Sequence, residues 1–243
     1  MIRSIIHAIL DSSIVKLVNY IDSKRVKPKW VKPERLTVID ILERQAATES
    51  AQYAEAHMSE ALYFRTREEL WRHALANITL NGIYMEFGVY RGSSINWFAG
   101  FLPDKTIIGF DSFEGLPDDW AMSKAKKHFD LGGKLPAVRA NVVLVKGTFE
   151  HSLPEYLVSN NGIIALAHMD ADTYGSTKSV LALLRPRLRS GSVFVFDQYF
   201  GYHGWKLGEW KAWQEFSKRE QISYHYLSFS YQQVGIVVER VGG

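Results

Sequence analysis

The chain has no cysteine among its 243 residues. Disulfides, zinc–thiolate centres and cysteine nucleophiles are therefore excluded, and the absence fits a cytoplasmic protein. No apolar run approaches the ~20 residues that a membrane-spanning helix needs. A secretory leader is not expected either. The opening segment from Met1 to Leu10 has a short, interrupted apolar core and meets Asp11 rather than a small-residue cleavage site. Strong charge of one sign is missing, because the formal net charge is +3. What excess exists lies at the start, where Arg3, Lys16, Lys24, Arg25, Lys27, Lys29, Lys32 and Arg35 face only Asp11, Asp22 and Glu34. A nucleic-acid protein spreads a basic stripe over its binding face. The body of this chain has none, so no nucleic-acid partner is expected. Two phosphate signatures are absent as well. There is no Gly-x-Gly-x-x-Gly turn at the first strand and no loop closed by Gly-Lys-Ser/Thr.

What is present divides into two parts. Residues 1–80 show helical spacing, as in Ile2, Ile5, Ile6, Ile9 and Leu10, and in Val15, Val18 and Ile21. Pro28 and Pro33 break that pattern, since each disfavours helix in the residue before it. A further helix is predicted over 68–78. We read this part as an N-terminal helical extension, and residues 81–243 as one α/β domain. Strands are predicted at 83–89, 106–111, 142–146, 163–170 and 192–197. Helices follow at about 93–101, 150–158, 176–188 and 206–219, an alternation that specifies a parallel sheet. Strands at 223–228 and 233–239 close the chain as a hairpin. The sum is a three-layer, Rossmann-like class I methyltransferase fold, with a seven-stranded, mostly parallel sheet and an antiparallel last strand.

The most informative stretch is Glu86-Phe87-Gly88-Val89-Tyr90-Arg91-Gly92-Ser93-Ser94, followed by Ile107-Ile108-Gly109-Phe110-Asp111-Ser112. A strand runs into a glycine turn and then a helix, whose N-terminal N–H groups suit the negative end of a ligand. The next strand ends on an acid placed to accept hydrogen bonds from ribose hydroxyls. Glu86 would repel a pyrophosphate but could accept from an ammonium. A ribose, an ammonium and a carboxylate together describe S-adenosyl-L-methionine. Glu86 as an ion-paired structural residue is the alternative.

These residues, with Phe110-Asp111-Ser112-Phe113-Glu114-Gly115-Leu116-Pro117 and Asp170-Ala171-Asp172-Thr173-Tyr174-Gly175-Ser176-Thr177, resemble the macrocin O-methyltransferase family. Those are S-adenosylmethionine-dependent enzymes that methylate sugar hydroxyls. The resemblance covers about 83–220 and leaves the N-terminal third unmatched. It implies cofactor contacts from Glu86, Gly88, Tyr90, Gly92, Ser93, Ser94, Asp111, Ser112, Thr148, Phe149 and Asp170. Glu86 and Gly88 would face the methionine part, Ser94 its carboxylate, and Asp111 the ribose. Ser112 and Phe113 would flank the adenine, with Gly147, Thr148 and Phe149 on its other side. For Phe113 and Phe149 core packing is the competing reading, and for Gly147 a plain turn.

Sheet tips are where open α/β folds bind ligands, which directs attention to Asp170, Asp172, Asp197 and Gln198. In the resembling family, acids at these tips hold a magnesium-type ion that orients and acidifies the acceptor hydroxyl. Here the implied ligands are Asp170 (or Asp172), Asp197 and Gln198. The amide removes one negative charge and should weaken binding, although catechol-type O-methyltransferases use a comparable acid, acid, amide set. Without an ion a general base is needed. His203, beyond the fifth strand, is then the candidate, ahead of His168, which reads as a satisfied histidine inside an apolar strand. Asp170, Asp172 and His203 are thus the catalytic candidates. Tyr202 and Trp205 are read as an acceptor wall, and Trp210 and Trp213 as helix core. Residues 115–136, with Lys124, Lys126 and Lys127, read as a lid or as a solvated loop.

The expected partner is a small-molecule hydroxyl acceptor, a sugar or a phenol, and a homo-oligomer is expected. Two alternatives stand beside the enzyme. One is a cofactor-binding scaffold without chemistry, suggested by Gln198. The other is a transferase on a membrane-associated glycolipid or phenol, with the basic N-terminus as a peripheral lipid contact. For that segment a dimer-forming or site-covering arm is preferred.

Overall fold

The computed structural model describes residues 36–117 and 128–242. The two N-terminal helical patterns, the Pro28–Pro33 break and the lysines of the expected lid lie outside the described residues. Val38–Gly243 forms one compact unit. The elements run α1 (Val38–His57), β1 (Leu62–Tyr63), α2 (Arg67–Ala76), β2 (Ile83–Phe87), α3 (Ser93–Phe101), β3 (Ile107–Asp111), β4 (Val142–Lys146), α4 (Phe149–Ser159), β5 (Ile164–Met169), α5 (Tyr174–Leu184), β6 (Val193–Phe196), α6 (Glu209–Arg219), β7 (Ser223–Phe229) and β8 (Val234–Arg240). They build one eight-stranded sheet in the order β1-β7-β8-β6-β5-β2-β3-β4. β8 runs antiparallel to both β6 and β7, and the remaining pairs are parallel. The hairpin read from the sequence is therefore present. The eighth strand, β1, was not foreseen, because two exposed residues carry no periodicity.

The central strands are apolar on both faces because helices cover both. Met85, Phe87, Ala167, Met169, Phe194 and Phe196 pack with residues of α4, α5 and α6. Tyr84, Ile107, Leu166, Val193 and Val195 pack with Leu70, Trp71, Ala74 and Leu75 of α2 and with Ile95 and Phe98 of α3. Thr66 and Glu69 start α2 with a reciprocal capping box. Placing α2 in the extension divides a packed core. It shares an apolar cluster with β6 and belongs to the unit that begins at Val38, not at residue 81.

The strand order reverses between β2 and β5, the place where doubly wound sheets open a crevice for ligands. Gly88, one residue past β2, has φ +93°, and a Cβ there would collide with the Asp170 carbonyl oxygen. The glycine therefore lets the two central tips touch.

Candidate active site

Above that reversal lies a cavity of about 500 Å³. One wall is the β2 turn, with Gly88 and Tyr90. A second is the β3 tip from Asp111 to Pro117, backed by Phe129. A third is Gly147, Thr148 and Phe149 at the start of α4, and a fourth is Asp170, Ala171 and Asp172 with Gly175, Ser176 and Ser179 of α5. Of the expected site residues, Gly88, Tyr90, Asp111, Ser112, Thr148, Phe149, Asp170 and Asp172 come together there. Glu114, Ser176 and Ser179 were missed. The two serines sit one helical turn apart on α5, a spacing visible in the sequence but without chemistry to mark it.

Asp111 organises the β2 and β3 tips. Its Oδ2 accepts the backbone N–H groups of Val89 and Tyr90, each at 2.8 Å. Its Oδ1 accepts that of Phe113 at 2.7 Å. A carboxylate has about four lone-pair sites, so three are committed to holding the turns and little remains for a ribose. Tyr90 and Phe113, both held in the left-handed region at φ 49° and 57°, are the residues this clamp bends. Phe113 is buried and packs in the core, as its competing reading had it. Phe149 lines the cavity and also meets Phe87 edge-on at 5.7 Å.

Four expected contacts lie off the cavity. Glu86 is fully buried; it accepts from the Ser94 hydroxyl at 2.8 Å and from His168 Nδ1 at 3.0 Å. Gly92 caps α3 in a left-handed turn, and Ser93 is exposed. None of Glu86, Gly92, Ser93 and Ser94 lines the cavity. Parity explains Glu86. It alternates with Met85 and Phe87, so it shares with Tyr84 the face under α2 and α3, and β5 places His168 directly opposite. Ser94, consumed by Glu86, is not available to a carboxylate as expected.

The β5 and β6 tips form the electrostatic half. Besides Glu86, His168 has Asp197 Oδ1 at 3.9 Å from its Nε2, and its side chain is 1% exposed. Burial alone would lower the His168 pKa; the Asp197 and Glu86 carboxylates outweigh it and push it up to about 10. His168 is a structural cation rather than a base. Gln198 Nε2 donates to Asp170 Oδ1 and to Asp197 Oδ2, each at 3.1 Å. Glu209, at the start of α6, accepts the Gln198 backbone N–H at 3.0 Å. This acid was missed, since nothing local separates it from an ordinary first-turn glutamate. Burial first, and then Asp197 and Asp172, raise the Asp170 carboxyl well above its usual range. Burial likewise raises Glu209.

Between the implied ion ligands Asp170 and Asp197 this structure places the Gln198 amide nitrogen. Asp170 lines the cavity, whereas Asp197 and Gln198 do not and are 6% and 8% exposed. The amide presents N–H groups, not a lone pair, to both acids. Among the described residues no three acids or histidines are grouped to hold a metal. His203 is exposed and off the cavity. The expected acceptor wall also moves. Tyr202 and Trp205 are buried, with Trp205 edge-on to Tyr53, Phe200 and Trp210. Trp213 is core, as read.

Residues 85–199 match a family model described as a methyltransferase domain. Among curated proteins the chain is 29% identical over 143 residues to mycinamicin III 3''-O-methyltransferase of Micromonospora griseorubida, covering 49% of this chain and 55% of that one. It is 28% identical over 141 residues to demethyldecarbamoylnovobiocin O-methyltransferase of Streptomyces niveus, covering 49% and 53%. The chain thus spans about half the length of the curated relatives it matches. Among solved structures, the calicheamicin methyltransferase CalS11 superposes with TM-score 0.54 at 26% identity, covering 70% of this chain and 76% of that one. The O-methyltransferase NovP gives 0.56 at 22%, covering 72% and 80%. The sheet order, the antiparallel β8 and these superpositions agree: the fold is that of the class I methyltransferases.

Proposed function

We propose that this chain is an S-adenosylmethionine-dependent O-methyltransferase acting on a hydroxyl of a sugar or sugar-bearing natural product. The observation that carries the reading is the cavity at the strand-order reversal, lined by the β2, β3 and α4 turns and by the Asp170 and Asp172 carboxylates. S-adenosylmethionine supplies an electrophilic sulfonium methyl. Tyr90, Ser112 and Phe149 offer polar and flat surfaces for a nucleoside, and Asp111 keeps their turns in place. Asp170 and Asp172 give the cavity the negative charge that an ammonium and a sulfonium require.

The acceptor hydroxyl must lose its proton as its oxygen takes the methyl. Asp170 is the group we assign to receive that proton, because its carboxylate lines the cavity, and burial raises its carboxyl above the usual carboxylate range. Holding the reactants in line and excluding water supply the rest. The relatives above are O-methyltransferases of natural products, mycinamicin III and demethyldecarbamoylnovobiocin, which favours a natural-product acceptor. Calorimetry with S-adenosylhomocysteine tests the first half of the reading. Saturable binding is expected, and its absence would falsify the assignment. Incubation with glycosylated and phenolic acceptors, read by the mass gain of one methyl group, tests the second half.

A further inference from the structure

We propose that the Gln198 amide permanently fills the place between Asp170 and Asp197 that a divalent cation would take, so that this site holds no ion. Both amide hydrogens are engaged there, one to each carboxylate. A magnesium or calcium ion needs oxygen lone pairs at roughly 2.0–2.6 Å, and the Gln198 Nε2 that faces both carboxylates offers none. The opposite amide orientation would set its oxygen 3.1 Å from two carboxylate oxygens, a repulsive contact.

The side chain is also anchored from its own backbone. The Gln198 N–H is held by Glu209 at 3.0 Å, and its carbonyl accepts from the Tyr202 hydroxyl at 3.2 Å. Gln233 Nε2 fixes the neighbouring Asp197 carbonyl at 3.1 Å.

The test uses the full chain, stripped with EDTA and titrated with Mn²⁺ while free ion is followed by electron paramagnetic resonance. The wild type is expected to show no saturable site below millimolar ion. Gln198→Asp, which restores a third carboxylate and empties the bridge, is expected to gain one Mn²⁺ per chain and to lose it again when combined with Asp170→Asn. Stoichiometric Mn²⁺ in the wild type, abolished by Asp170→Asn, overturns the proposal. So does a folded Gln198→Asp variant that binds nothing, because the amide is then not what excludes the ion. Should that variant fail to fold, the wild type decides alone. Its melting temperature should be the same in EDTA and in excess magnesium, and a rise with magnesium that Asp170→Asn removes counts against the bridge. Ion binding is read without turnover, so the outcome is independent of the methyl-transfer reading.

Discussion

The two halves of the site solve opposite problems with one residue each. At the β2 and β3 tips, a single carboxylate, Asp111, gathers three backbone N–H groups from two turns. At the β5 and β6 tips, a single amide, Gln198, gathers two carboxylates. The first half shapes a surface from backbone and leaves its side chains facing the cavity. The second arranges charge and buries most of it. A nucleoside needs shape and a developing alkoxide needs charge, so the division follows the two ends of the proposed reaction.

The comparison breaks most severely if its buried counterion goes. Glu86→Gln leaves the His168 cation with only the more distant Asp197 carboxylate, and removing one partner of a buried pair costs about 3–5 kcal/mol. Chemical denaturation should show that loss. A change under about 1 kcal/mol would mean that His168 is neutral in the fold. Asp111→Ala strands three N–H groups at the other half and should cost about 2–4 kcal/mol. Calorimetry should also show S-adenosylhomocysteine affinity falling more than in Glu86→Gln, even though Glu86→Gln is the more destabilised. Equal losses would erase the distinction between a binding half and a charge half.

A smaller effect is expected from pH. The His168 pKa rises from 6.5 to about 10 on folding. Its contribution to stability is therefore complete below pH 6.5 and is lost as pH rises toward about 10. Asp170 and Glu209, also raised, act with the same sign. Melting temperature should fall between pH 7 and 10, and His168→Gln should flatten that slope. The smallest effect belongs to His203→Ala. An exposed histidine off the cavity should leave turnover nearly unchanged, whereas a drop of ~100-fold or more would restore it as the base.

Much of the fold was legible because alternation of apolar runs with helical faces survives in a single sequence. β4 begins and ends where it was read, and the other predicted strands differ by a residue or two at their ends. The walls of the cavity were legible too, since glycines and acids at strand tips are local signals. Partnerships were not. Glu86 and His168 meet only through the β2–β5 register, across 82 residues of chain. Glu86 therefore read first as a ligand contact, and its ion-paired alternative matches the contact with His168. Ser94 followed it into the core for the same reason. Gln198 looked like a weakened ligand, and its role as a bridge depends on where Glu209 and Tyr202 hold its backbone. The boundary at residue 80 failed to register with α2 because helical spacing alone does not say which sheet a helix covers.

The His168 cation has a consequence for how the protein meets its surroundings. Screening by dissolved salt acts over about 8 Å at physiological ionic strength, but only on charges that solvent can approach. With both side chains of the Glu86–His168 pair 1% exposed, mobile ions have no access to them. The attraction within the pair is therefore screened much less than one at the surface, and it should change little between dilute buffer and high salt.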